Sequence, residues 1–86
     1  MSVPVFVYAL STCPWCRRTK QFFIDNDVPF DFVDVDLLPE DEELRVSAEA
    51  REVSGSRSYP IVKIGDEVIV GYNPGRYSTL LGIQQR

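Results

Sequence analysis

The chain contains no histidine, and only two of its 86 residues are cysteine. A structural zinc ion takes four ligands, chiefly thiolate and imidazole, so no metal centre is expected. Basic blocks are also missing: nothing exceeds the pair Arg17-Arg18, against a formal net charge of −4, and nucleic acid is therefore not an expected partner. No apolar run approaches the roughly 20 residues of a membrane-spanning helix. Met1-Ser2-Val3-Pro4 lacks the basic start and apolar stretch of a secretory leader. Internal repeats, linkers and low-complexity tracts are absent too. The expectation is a cytoplasmic, soluble monomer with no membrane partner, in a compartment that keeps thiols reduced. Its length suits a single domain over 1–86, built on one core.

What the chain does have is concentrated in Ser11-Thr12-Cys13-Pro14-Trp15-Cys16-Arg17-Arg18, which holds both cysteines with two residues between them. A disulfide there would close a very small ring and stabilise little, so the pair is better explained by chemistry than by stapling. Val3-Pro4-Val5-Phe6-Val7-Tyr8-Ala9-Leu10 reads as a buried strand ahead of it, being short, apolar and rich in β-branched and aromatic residues. Behind it, Cys16, Thr19, Phe22 and Phe23 recur at helical spacing. Proline favours the first helical position, which makes Cys13 the N-cap and Cys16 a residue one turn in. An N-cap sulfur faces unpaired amides and the positive end of the helix dipole, so Cys13 is expected to be the nucleophile of lowered pKa and Cys16 the resolving thiol. A cation among Arg17, Arg18 and Lys20 is expected to help hold the thiolate, the others being a solvated face. Trp15, displayed between the cysteines, suggests a partner-contact surface.

Farther along, Asp25-Asn26-Asp27-Val28-Pro29 is a turn cluster, and 30–36 alternates apolar and acidic residues like a half-exposed edge strand. Strand, helix and strand in succession make a βαβ unit, with parallel strands and a right-handed crossover. Glu40-Asp41-Glu42-Glu43 suits a helix start; the next residues fit either a strand or a helix, and their good helix formers, an Asp41–Arg45 pair and Gly55 as a stop favour the helix. Ile61–Ile64 and Glu67–Val70, joined by Gly65-Asp66, read as a hairpin. Asn73 and Pro74 suit the N-cap and first position of a last helix on which Tyr77, Leu80, Leu81 and Gln84 share a face, although Asn73-Pro74-Gly75 also suits a simple turn.

The resulting order, β-α-β-α-β-β-α with CxxC at the first strand-to-helix junction, is the thioredoxin-type α/β arrangement. Within it the chain resembles the glutaredoxins. Thr12-Cys13-Pro14-Trp15-Cys16 matches that family's T-C-P-x-C, and Gly55-Ser56-Arg57-Ser58-Tyr59-Pro60 its G-x-R-T-V-P segment, at the usual separation. The resemblance implies a thioredoxin fold, with a four-stranded mixed sheet and helices on both faces. It implies a dithiol–disulfide oxidoreductase acting on protein or glutathione mixed disulfides through Cys13 and Cys16, with no bound cofactor. It also implies a cis Pro60 facing the CxxC, so that the Tyr59 backbone meets the substrate as an added strand. Pro14, Trp15, Arg57, Gly71 and Tyr72 complete the expected substrate contacts.

The reductant stays open between glutathione and a thioredoxin-reductase-like flavoprotein. Glutathione-using members carry Lys three residues before the first cysteine, where this chain has Leu10. They also carry Gly-Gly, then Ser or Cys, then Asp, to hold the γ-glutamyl carboxylate, where Gly71-Tyr72-Asn73-Pro74 stands here. Arg57 and the Tyr59-Pro60 backbone survive as glutathione contacts. Redoxins that serve as hydrogen donors to ribonucleotide reductase are similar in these departures. Some glutaredoxins instead carry an iron–sulfur cluster between two subunits through the first cysteine, here Cys13; those members usually depart from proline at the next position, where Pro14 stands.

Overall fold

The computed structural model describes residues 3–83. Strand β1, Val5–Ala9, is one of the two inner strands of the sheet. Alternate side chains of a strand point to opposite faces. Val5, Val7 and Ala9 accordingly enter one core and Tyr8 the other, with Phe6 and Leu10 packed against it. Such a strand needs helices on both sides, and the chain supplies them. Helix α1, Pro14–Asp25, and helix α3, Pro74–Leu81, bring Cys16, Phe22, Phe23 and Tyr77 to the first face; helix α2, Glu40–Ser54, brings Val46 and Ala50 to the second.

Helix α1 is the crossover that makes β2, Asp31–Asp34, parallel to β1, with Val7 opposite Phe32. β3, Ile61–Ile64, runs antiparallel on the other side of β1, with Val7 opposite Val62, and turns through Gly65 and Asp66 into β4, Glu67–Val70. The order across the sheet is β2-β1-β3-β4, a mixed sheet in the expected β-α-β-α-β-β-α sequence. Gly65 has φ of 60, and a Cβ there would come 3.2 Å from Val3 Cγ1, so both backbone and space favour glycine. Phe23 sits fully buried among Phe22, Phe30 and Tyr77, and truncating it to alanine is expected to cost about 3–5 kcal/mol.

Three local expectations need correction. The alternation over 30–36 suggested one strand, but β2 ends at Asp34 and Val35–Leu37 coils into a 3-10 turn. Val35 drops into the α2-side core there, and the Asp36 carboxylate is drawn to Ser11. Asp41 and Arg45 form no ion pair; both are exposed, where such a pair gains little. The last helix ends at Leu81, with Gly82 as left-handed C-cap, and Gln84 lies outside the described residues. No helix among the described residues is long and apolar enough to cross a membrane.

Candidate active site

At the end of β1 the Cys13 amide donates to the Leu10 carbonyl at 3.1 Å, which turns the chain through Ser11 and Thr12. The Asp36 carboxylate holds this turn from outside, accepting from the Ser11 amide at 2.8 Å and the Ser11 hydroxyl at 2.6 Å. Those donors keep Asp36 below the usual carboxylate range. Cys13 is then the N-cap of α1, in extended conformation with φ −86 and ψ 116, and Pro14 follows at the first position. The Cys16 amide donates to Cys13 Sγ at 3.3 Å, one of the helix-start donors that would otherwise be unpaired.

The two thiols differ in exposure. Cys13 is half-buried, whereas Cys16 is fully enclosed. Burial pushes the Cys16 thiol up to about 12, and the neighbouring Cys13 sulfur pushes the same way. Near neutral pH Cys16 therefore carries its proton and Cys13 is the sulfur in reach of another molecule. One cation among Arg17, Arg18 and Lys20 is expected at the thiolate, but each of the three has another partner. Arg17 Nη2 donates to the Ser11 carbonyl at 3.2 Å, the Arg18 guanidinium lies 4.9 Å from the Trp15 ring, and Lys20 pairs with Asp34 at 2.8 Å while its ammonium sits over Phe32. The donor that the structure gives the Cys13 sulfur is the Cys16 amide.

Beside the cysteines, Trp15, Tyr59, Gly71 and Tyr72 line an open groove of about 260 Å³. Trp15 is 53% exposed, and its ring stacks on Tyr72 with centroids 5.8 Å apart and planes 27° from parallel. The Tyr59–Pro60 peptide bond is cis, as expected, and Pro60 is buried with its carbonyl accepting from the Gly71 amide at 2.7 Å. Neither the N–H nor the C=O of Tyr59 is hydrogen-bonded among the described residues. Pro14 is exposed at the head of the helix.

Arg57 stands apart from this groove. The loop before Tyr59 coils back over the end of α2, with the Ser56 amide donating to Ser54 Oγ at 3.1 Å and the Ser58 amide to Ser56 Oγ at 3.0 Å. Arg57 consequently lines a separate hollow with Arg51, Glu52 and Ser56. Two residues missed in the sequence also belong to the site's frame: Asp36, whose acidic alternation disguised it as a solvated strand residue, and Tyr77, a phenol set in an apolar helix stripe. The one signal for Tyr77 was chemical, since a buried hydroxyl requires a partner.

Residues 5–69 match the glutaredoxin family model. A glutaredoxin-like protein encoded in a rubredoxin operon of Clostridium pasteurianum is 31% identical over 87% of this chain and 93% of its own length. The crystal structure of a glutaredoxin from Archaeoglobus fulgidus shares 38% identity, with a TM-score of 0.84 over 88% of this chain and 83% of that one. The glutaredoxin-like NrdH-redoxin of Escherichia coli, whose structure was described as the basis of a thioredoxin-like activity profile, shares 25% identity and a TM-score of 0.68 over 96% and 97% of the two chains. A sulfur in reach beside a sulfur enclosed, on a fold and a sequence shared over most of their length with these redoxins, places this thiol–disulfide oxidoreductase in the glutaredoxin family.

Proposed function

We propose that the chain reduces protein disulfides by a two-thiol route in the cytoplasm, drawing electrons from a thioredoxin-reductase-like flavoprotein in preference to glutathione, with no bound cofactor. The observation that carries this reading is the corner at 71–74. Tyr72 is stacked on Trp15, and the Asn73 carboxamide oxygen accepts from the Arg76 amide at 3.1 Å. Glutathione-using glutaredoxins keep Gly-Gly, Ser or Cys, and Asp there for the γ-glutamyl carboxylate. A corner filled by an aromatic ring and capped by its own side chain suits the wall of a peptide groove. Leu10 in place of lysine supports the same choice, as does the similarity to the E. coli redoxin with a thioredoxin-like profile.

The Cys13 thiolate attacks one sulfur of the substrate disulfide. The bond between the two substrate sulfurs breaks, a Cys13–substrate bond forms, and the departing thiolate takes up a proton. Cys16 then loses its proton and attacks Cys13 Sγ. The second substrate thiolate leaves and is protonated, and the Cys13–Cys16 disulfide remains, so that two electrons have passed to the substrate. Tyr59 offers its backbone to the substrate strand beside Pro60, and Pro14, Trp15, Gly71 and Tyr72 shape the rest of the contact.

Oxidised protein offered either millimolar glutathione or NADPH with a thioredoxin reductase decides the donor. Reduction about tenfold faster or more by the reductase is expected. Faster reduction by glutathione reverses the donor assignment. A visible absorption band in protein purified without air, together with failure in both assays, identifies a cluster carrier bridged through Cys13.

A further inference from the structure

Tyr77 is fully buried on α3, yet it carries a hydroxyl. Its ring packs against Phe22, Phe23 and Tyr72, with centroids 5.7, 5.3 and 6.3 Å away. For that packing a phenylalanine would serve as well. The hydroxyl donates to the Gly71 carbonyl at 2.5 Å. It has a single proton, so its 3.4 Å contact with Thr19 Oγ1 runs the other way, from Thr19 to the phenol oxygen. The polarity of the relay is thereby fixed: Thr19 on α1, Tyr77 on α3, then the Gly71 carbonyl.

Gly71 sits at φ of 92, a conformation that glycine tolerates and other residues rarely adopt. Its N–H is bonded to the Pro60 carbonyl and its C=O to Tyr77, so one residue is pinned from two directions. The first bond leads to the neighbour of Tyr59, and the next residue along the chain is Tyr72. Tyr59 and Tyr72 are walls of the groove beside Cys13.

We propose that Tyr77 is a positioning residue for thiol–disulfide exchange: by holding the Gly71 carbonyl, its hydroxyl keeps the Tyr72 ring on Trp15 and sets the spacing of the groove that a disulfide-bearing peptide enters. The inference rests on the reading of this groove as the protein-substrate site. It separates binding from chemistry, because no hydrogen bond joins Tyr77 to either sulfur among the described residues. Loss of the hydroxyl frees the Gly71 peptide and loosens the Tyr72 wall, while the Cys13 cap is left intact.

Trp15 is the only tryptophan of the chain, so tryptophan fluorescence reads the stack directly. In reduced Tyr77→Phe, acrylamide quenching of Trp15 is expected to rise, and the KM for insulin disulfides to increase roughly three- to tenfold. Its kcat and its rate with the small disulfide dithiobis(nitrobenzoate) should stay within about twofold of the parent. Thr19→Val leaves the phenol free to donate but removes the group that orients it, so the same two quantities should move the same way by less. A merely structural role lowers the urea midpoint and moves neither. Parent-like quenching and KM in Tyr77→Phe overturn the proposal, and if that variant does not fold, parent-like values in Thr19→Val do so. A parent protein that fails to reduce insulin speaks against the proposed function, whereas the quenching comparison still tests the positioning.

Discussion

The backbone amide of Cys16 donates to the sulfur of Cys13 at 3.3 Å, so the residue whose own thiol is enclosed supplies the donor for the thiol that is not. One turn of helix thus assigns two roles to two identical side chains. Cys13 owes its access and its donor to the N-cap position, and Cys16 owes its proton to burial at the third position of the helix.

That proton has a measurable consequence at high pH. Burial raises Cys16 from 9.0 to about 12, and burial together with the Glu49 carboxylate raises Tyr8 from 10.0 to about 12. The folded state keeps these protons where the unfolded state releases them. Their contribution is therefore complete below about pH 9, falls as pH rises from there, and is gone above 12. Each group can contribute a slope of up to about 1.4 kcal/mol per pH unit in that window. Urea unfolding of the reduced protein from pH 8 to 11 should show the decline. Cys16→Ala and Tyr8→Phe should each flatten it, and unchanged slopes would mean that these protons are not held by the fold.

At the acid end the relevant group is Asp36. The Ser11 hydroxyl and amide hold its carboxylate below 3.8. Stability from this link is present above the unfolded pKa and is lost as pH falls through the lower folded value. Parent and Asp36→Asn should accordingly differ in denaturation midpoint at pH 6 and converge well below pH 4. A difference that persists unchanged to pH 2 would show that the clamp on the Ser11 turn does not depend on charge.

The starts of α1 and α3 were legible because proline and a capping side chain are local signals. Cys13-Pro14 and Asn73-Pro74 each fix a boundary from two adjacent residues, and Gly55 does the same at a C-terminus through its φ of 68. The parallel β1–β2 pair and the 65–66 hairpin followed from crossover and turn chemistry. What stayed hidden depends on contacts between distant segments. The period of 30–36 continues past Asp34, but the strand does not, because Ser11, just past the end of the neighbouring strand β1, captures Asp36. Nothing near Trp15 in sequence announces Tyr72 as its stacking partner, and Arg57 leaves the groove through serine bonds made within its own loop. The motifs and the family resemblance named the reacting sulfurs and also Trp15, Tyr59, Gly71 and Tyr72, which line the groove; the stack that joins Trp15 to Tyr72 comes from tertiary packing.

The Asn73 cap can be tested by itself. Its oxygen accepts from the Arg76 amide at 3.1 Å at the start of α3. Asn73→Ala should lower stability by about 1 kcal/mol, and Asn73→Asp should retain the bond and match or exceed the parent through the helix dipole. Urea midpoints for the two variants check this. An alanine variant as stable as the parent would show that the cap is not holding this corner.

The sharpest division between the two thiols comes from removing one of them. Release of a glutathionyl group needs Cys13 alone, because Cys13 takes the glutathione and a second glutathione then frees it. Reduction of a protein disulfide needs an internal attacker, since the enclosed position of Cys16 is what places a second sulfur behind the mixed disulfide. Cys16→Ser should therefore lose insulin reduction by about tenfold or more and accumulate substrate bonded to Cys13, visible as a mass increase that dithiothreitol reverses. The groove walled by Tyr72 and Trp15, with Asn73 engaged as a cap, favours that outcome. Glutathione-dependent activity in Cys16→Ser equal to that of the parent would reverse it, because Cys13 would then be completing the cycle with glutathione as its partner.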